Sequence, residues 1–228
     1  MGGIRHIVWD WNGTLLDDTA LTVRAANAAL AAIGHPIELT VERWREVATR
    51  PIYDTYHCLT NSDLGADQWA QVGRVWLATY LDGLPEVGLN PTAEAALDEA
   101  AALGWTQSIV SLHQEEALRR HVTELGIADR FTEICGSGAN WIDGRTKADS
   151  VAAQLAALDL RPHQALMIGD MEEDAVEAVR AGAAPVLVPT GDTSRQRLDA
   201  TGYPVAETLI AAVRLGAREA VNGRTNLA

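Results

Sequence analysis

The sequence predicts an α/β protein, a Rossmann-like, doubly wound parallel sheet with an all-helical cap domain inserted after its first strand. Three observations predict it. A short apolar run near the start stops at a carboxylate. A long stretch with only helical patterning follows, and strict strand–helix alternation begins after that. The core domain is expected over residues 1–18 and 85–228, and the cap over 19–84.

The first strand is His6–Trp9, ended by Asp10 and broken at Gly13. Residues 20–33 are Ala- and Leu-rich, suit a helix, and stop at Gly34. Thr40 reads as the N-cap of a helix through Thr49, and Pro51 breaks that helix and opens a short new one. Trp69, Val72, Trp76 and Tyr80 recur at spacings of three and four, which predicts one amphipathic helix over 66–81. The Gly- and Pro-rich stretch 82–91 is a connector. Helices are then expected at 92–103, 114–125, 147–158, 172–181 and 206–219. Strands are expected at 106–111, 132–135, 165–168 and 185–188, and the polar tail 222–228 is expected to fray.

Composition narrows the function classes. The 228 residues carry a formal charge of −13, which repels a nucleic-acid backbone. No apolar run approaches a membrane span and no leader-like segment precedes the first strand, so a cytoplasmic protein is expected. Cys58 and Cys135 show no metal-ligand or disulfide pattern and are read as buried structural thiols.

Ligands of open parallel sheets bind beyond the carboxyl ends of the strands. There the sequence places Asp10, Ser111 and Gly169-Asp170, with Asp174 one helical turn on and Lys147 at the start of a helix. Lys147 is the only lysine, the other seventeen basic residues being Arg, and a compact ammonium beside a phosphate is a role that Arg fills poorly.

These residues carry a resemblance. Asp10-Trp11-Asn12-Gly13-Thr14 resembles the first motif of the haloacid dehalogenase superfamily, usually written DxDGT. Ser111 resembles its second motif, Lys147 its third, and Gly169-Asp170 with Asp174 its fourth, GDxxxD. All four occur in order, and the insertion point matches the family's helical cap. The resemblance implies a phosphatase acting on a small phosphorylated metabolite, with Asp10 as the nucleophile that becomes an aspartyl phosphate. It implies Mg²⁺ held by the Asp10 carboxylate, the Asn12 backbone carbonyl and Asp170, with Asp174 helping directly or through water. Ser111 and Lys147 would hold the non-bridging phosphate oxygens, and Thr14 joins them among the substrate-binding residues.

Residue 12 departs from the family pattern, which places there an Asp that protonates the leaving oxygen and then activates water. Asn12 cannot transfer a proton, a function worth roughly a hundred- to ten-thousand-fold. The enzyme is then slow on alkyl phosphates, or acts on leaving groups that need little protonation, or takes the proton from a cap residue or the substrate, or has kept ligand binding without catalysis. Carbon–halogen hydrolysis is the weaker alternative, because the resemblance there calls for a bulky Tyr at this position. A Schiff-base mechanism would need a cap lysine, and the cap has none.

In the cap, Arg50 and Tyr53 lie at a helix break that resembles the family's specificity loop. Two readings stand for each: Arg50 contacts an anionic substrate or is solvated, and Tyr53 and Tyr56 stack on the substrate or pack between helices. His113 lines the pocket or donates a proton, or is a plain loop histidine. Trp9 and Trp11 are read as packing, and Asp17 and Asp18 as the hinge and the cap of the next helix.

Overall fold

The computed structural model describes residues 3–137 and 146–225. Five parallel strands, β1 (His6–Trp9), β2 (Thr106–Gln114), β3 (Glu133–Ser137), β4 (Ala165–Gly169) and β5 (Ala184–Leu187), lie in the order β3-β2-β1-β4-β5. All five expected strands are present. β1 is central, with Trp9 opposite Ile109 on one side and Ile168 on the other. The chain builds outward from β1 in one direction and then in the other, so the switch point lies at the carboxyl end of β1.

Side chains of a strand alternate between faces, and the two faces of β1 bury different helices. Ile7 and Trp9 join α5 (Ala93–Ala102), α6 (Glu115–Glu124) and α10 (Leu209–Thr225) through Leu97, Leu118 and Leu209. Val8 meets Val151 and Leu155 of α7 (Lys147–Ala157) and Ala178 of α8 (Glu172–Arg180). This two-sided cover explains why the strands read as unbroken apolar runs.

Between β1 and α5 lie four helices, α1 (Thr19–Ala32), α2 (Val41–Val47), α3 (Ile52–Thr60) and α4 (Ala66–Gly83). They bury an apolar cluster of their own that includes Leu30, Trp44, Tyr56 and Val72. The Thr40 hydroxyl caps α2 by accepting from the Arg43 N–H. This helix stops at Val47 rather than Thr49, because the Thr49 N–H bonds the Thr55 hydroxyl instead.

Several boundaries differ from the sequence reading. β2 continues past Ser111 to Gln114, with an irregular register after Val110, and the Gln114 side chain then caps α6 by accepting from the Ala117 N–H. A helix α9 (Arg195–Ala200) follows β5 where the sequence predicted none; its six residues are too few for an amphipathic period to emerge. α10 starts at Leu209 and runs to Thr225 instead of fraying at 222, and residues 226–228 of the expected tail lie outside the described ones. Cys58 is exposed and Cys135 half-buried, so neither is a core thiol. No described helix is long and apolar enough to cross a membrane.

Candidate active site

The carboxyl end of β1 delivers Asp10 into a buried place, only 5% exposed. Lys147, the first residue of α7, donates to Asp10 Oδ1 at 2.6 Å and to Asp174 Oδ1 at 2.7 Å. Its helix is started by Thr146, whose hydroxyl accepts from the Asp149 N–H while Asp149 bonds back. Asp174 spends its other oxygen on the Met171 N–H, so it both caps α8 and holds the ammonium. Asp170, at the end of β4, accepts from the Thr14 hydroxyl at 3.1 Å and the Asp192 N–H at 2.6 Å. Carboxylate oxygens of Asp10, Asp170 and Asp174 lie within 4.8 Å of one another.

Glycine makes this crowding possible. A Cβ at Gly191 would sit 2.1 Å from Asp170 Oδ2, and one at Gly13 2.7 Å from it. Gly13 also has φ +71°, a region in which side chains are strained.

Three buried carboxylates share one bonded ammonium, and the electrostatics show the imbalance. Burial pushes Asp10 up to about 6, with Lys147 opposing and Asp174 adding to the rise. Burial and the neighbouring acids push Asp170 well above the carboxylate range. Burial alone would lower Lys147, but Asp10 and Asp174 raise it instead. A hard divalent cation with oxygen ligands fits this donor set, because it supplies the missing positive charge.

The other side of Asp10 is organised by hydrogen bonds. Asn12 Nδ2 donates to Asp18 Oδ2 and to the Tyr80 hydroxyl, both at 2.8 Å. Tyr80 donates to the same Asp18 oxygen at 2.6 Å, and the Gly13 N–H donates to Asp18 Oδ1 at 2.7 Å. Asp18 stands at the N-cap position of α1, but its side chain makes no capping bond and turns back to the loop that follows β1. The expectation of a capping role for this carboxylate is therefore corrected. Burial pushes Asp18 up, while its bonds from Tyr80, Asn12 and Gly13 pull it down.

The remaining expected residues sort as follows. Ser111 is buried at the rim, and its Oγ accepts from the His113 N–H at 3.1 Å. Thr14 is fully buried with its hydroxyl spent on Asp170, so it orients that carboxylate rather than touching substrate. Tyr53 is bonded to the backbone of Leu64 and packs edge-on against Trp69 at 5.2 Å, the packing reading of its two. Tyr56 is likewise buried in the cap. Arg50 anchors through its N–H to Glu173 at 2.9 Å, and its charge pulls the Asp192 pKa down. The His113 ring lies 6.4 Å from that of Tyr80, and burial and His121 lower its pKa to about 4, so it offers a neutral hydrogen-bonding group. Trp9 and Trp11 are fully buried, as packing residues.

Four participants escaped the sequence reading. Asp192 follows β5, and burial and Asp18 push it up to about 6 against the pull of Arg50. A strand-end rule applied to β5 would have found it. Tyr80 was read only as part of an apolar stripe. Arg197 of α9 donates to the carbonyls of Arg45 and Ala48 and pairs with Glu172, and Glu173 accepts from Thr49 and Arg50, so both join cap to core.

A parallel sheet with a helical insertion after β1 and an Asp–Lys–Asp rim at its switch point defines a hydrolase scaffold of the haloacid dehalogenase type. The family profile described as haloacid dehalogenase-like hydrolase matches residues 7–188, and the chain belongs to that family. It is 26% identical over 215 residues to a phosphoglycolate phosphatase of Chromobacterium violaceum, covering 90% of this chain and 94% of the relative. A phosphoglycolate phosphatase of Vibrio vulnificus is 26% identical over 187 residues, 79% of this chain and 82% of the relative. Among solved structures, a haloacid dehalogenase-like hydrolase from Streptococcus pneumoniae superposes with a TM-score of 0.78 at 21% identity, covering 93% of this chain and 98% of that one.

Proposed function

We propose that this hydrolase is a magnesium-dependent phosphatase that cleaves a small phosphate monoester through an aspartyl phosphate on Asp10. The observation that carries the reading is the buried Asp10 carboxylate bonded to Lys147 at 2.6 Å beside Asp170 and Asp174. An Asp10 oxygen forms a bond to phosphorus as the bond to the leaving oxygen breaks, and the electron pair departs with that oxygen. Water then attacks the same phosphorus, releasing inorganic phosphate and a proton and restoring Asp10. Lys147 and Ser111 hold the non-bridging oxygens, and Lys147 reduces the repulsion between nucleophile and dianion. Asp10, the Asn12 carbonyl and Asp170 would hold Mg²⁺, with Asp174 fixing Lys147 beside it. The cation would supply further charge neutralisation at the phosphoryl oxygens. The relatives named as phosphoglycolate phosphatases support the reaction class.

A second reading, a phosphate-ligand binding protein that has lost turnover, is favoured by one observation. The Asn12 amide nitrogen is already engaged by Asp18 and Tyr80, and an amide has no transferable acid proton, so this residue brings no acid to the site. The test is turnover of p-nitrophenyl phosphate with Mg²⁺, whose leaving group needs little protonation. The phosphatase should hydrolyse it and lose activity with EDTA or in Asp10→Asn. Binding of phosphate without turnover would establish the second reading instead.

A further inference from the structure

The four bonds among Asn12, Asp18, Tyr80 and Gly13 have a consequence for the reaction. An amide has one donor end and one acceptor end, and its orientation is set by what it faces. Here the donor end faces a carboxylate oxygen at 2.8 Å and a phenol oxygen at 2.8 Å. Against an ionised Asp18, the reverse orientation would set the amide oxygen against the carboxylate, two acceptors in contact. The Gly13 N–H at 2.7 Å and the Tyr80 hydroxyl at 2.6 Å hold the carboxylate itself in place. Tyr80 is pinned by stacking on Trp76, with ring centroids 4.7 Å apart. Asn12 is half-buried, two residues after the nucleophile, and its amide oxygen has no hydrogen-bond partner among the described residues.

We propose that Asp18 is a positioning residue that, together with Tyr80, holds the Asn12 amide with its hydrogens turned away from the reacting phosphate and its oxygen turned toward it. This rests on the phosphatase reading above and deepens it by naming a substrate class. Residue 12 then presents an acceptor. It steadies the hydrolytic water by accepting a hydrogen bond, and it gives no proton or hydrogen bond to a departing oxygen. The substrates that suit such a site are acyl or aryl phosphates. Their P–O bond breaks with the electron pair leaving on an oxygen already stable as a carboxylate or phenolate, while the Asp10–phosphorus bond forms. Alkyl phosphates such as phosphoglycolate would have to depart as alkoxides and are disfavoured. Because Tyr80 belongs to α4, the arrangement also makes the orientation of Asn12 depend on the seated cap.

Two measurements on the full chain separate this proposal from the reading beneath it. The first is hydrogen exchange of the Asn12 side-chain amide by ¹⁵N NMR, its signals assigned by their loss in Asn12→Asp. In the native protein exchange of the amide should be slowed, and Asp18→Ser should speed it by about tenfold or more. Tyr80→Phe, which keeps the ring and its packing, should speed it by a smaller factor. Equal exchange in all three proteins would overturn the proposal. The second is kcat/KM with Mg²⁺ for p-nitrophenyl phosphate and acetyl phosphate against 2-phosphoglycolate. The first two should exceed the third by at least about a hundredfold, the usual worth of a general acid. Asp18→Ser should narrow that gap as the amide becomes free to turn a hydrogen toward the leaving oxygen. Comparable rates on all three esters in the native enzyme would sink the substrate class. Turnover of none would sink the phosphatase reading and the substrate class with it, while the exchange rates still decide the orientation.

Discussion

The two sides of Asp10 satisfy buried polar groups in opposite ways. On the side of Lys147 the currency is charge, with three carboxylates, one ammonium and Asp170 pushed far up by the imbalance. On the side of Asn12 three neutral donors fill the oxygens of the Asp18 carboxylate, although Asp192 is near enough to be pushed up by it. Buried charge without enough counter-charge is costly, whereas a carboxylate with its lone pairs filled is tolerable. The difference teaches where the site is incomplete by itself. The Lys147 side has a donor set that a divalent cation would complete, and on the Asn12 side hydrogen bonds fill the Asp18 oxygens.

The comparison can be broken most severely at the charged side. Lys147→Met removes the only ammonium bonded to the cluster among the described residues, and turnover of p-nitrophenyl phosphate should fall by about a hundred- to a thousandfold. Asp10→Asn should remove it altogether; residual turnover in that variant above a mock preparation would mean that another group is the nucleophile.

Next in size is the effect of the cation on stability. Binding only the folded state at a hundredfold excess over the dissociation constant adds about 2.7 kcal/mol, or a rise in Tm of about 5–10 °C for a chain of this size. Mg²⁺ should produce such a rise by calorimetry, and Asp170→Asn should suppress it. An unchanged Tm at millimolar Mg²⁺ would count against a cation site here.

The neutral side is sharpened by a pair of variants. Asn12→Asp alone sets a new carboxylate against Asp18 and should gain little on alkyl phosphates. Asn12→Asp combined with Asp18→Ser removes that conflict and should gain about tenfold over the single variant in kcat/KM for 2-phosphoglycolate. Additive behaviour of the two changes would show that the residues do not communicate.

The smallest expected effect tests the neutral strategy at a distance. His6, fully buried in β1, bonds the hydroxyls of Thr106 and Ser108 at 2.7 and 2.9 Å, and burial lowers its pKa to about 4. In the unfolded chain the ring titrates near 6.5, so the unfolded state binds more protons between these values. The contribution to stability is complete above about 6.5 and is lost as pH falls toward about 4. Denaturant unfolding should show about 1 kcal/mol lost between pH 7 and pH 5.5 beyond the loss in His6→Asn.

How much of the site was legible depended on how local the signal was. Asp10, Ser111, Lys147 and Asp170 stand at or near element ends, and a strand that stops at a polar residue is visible in a few neighbouring letters. Gly13 and the capping Thr40 were visible for the same reason. Thr14 and Asp18 were misread, and Tyr53 was left between two readings, because each side chain's partner is chosen by packing. The Thr14 hydroxyl finds Asp170 at a separation of 156 residues, and Asp18 finds Tyr80 at 62. Tyr53 shows the converse, taken up by Leu64 and Trp69 within its own helical domain.

By itself, the sequence determined the layered architecture, the place of the insertion and the identity of the charged rim. Period-two and period-3.6 patterning, strand ends and Gly breaks are properties of neighbouring residues. The tertiary structure alone decided which way the Asn12 amide faces, what Asp18 is for, and that Asp192, Arg197 and Glu173 meet at the seam of cap and core. Those outcomes depend on hydrogen-bond geometry between segments far apart in the chain, and a donor's partner is settled only when the packed backbone brings one within about 3 Å of it.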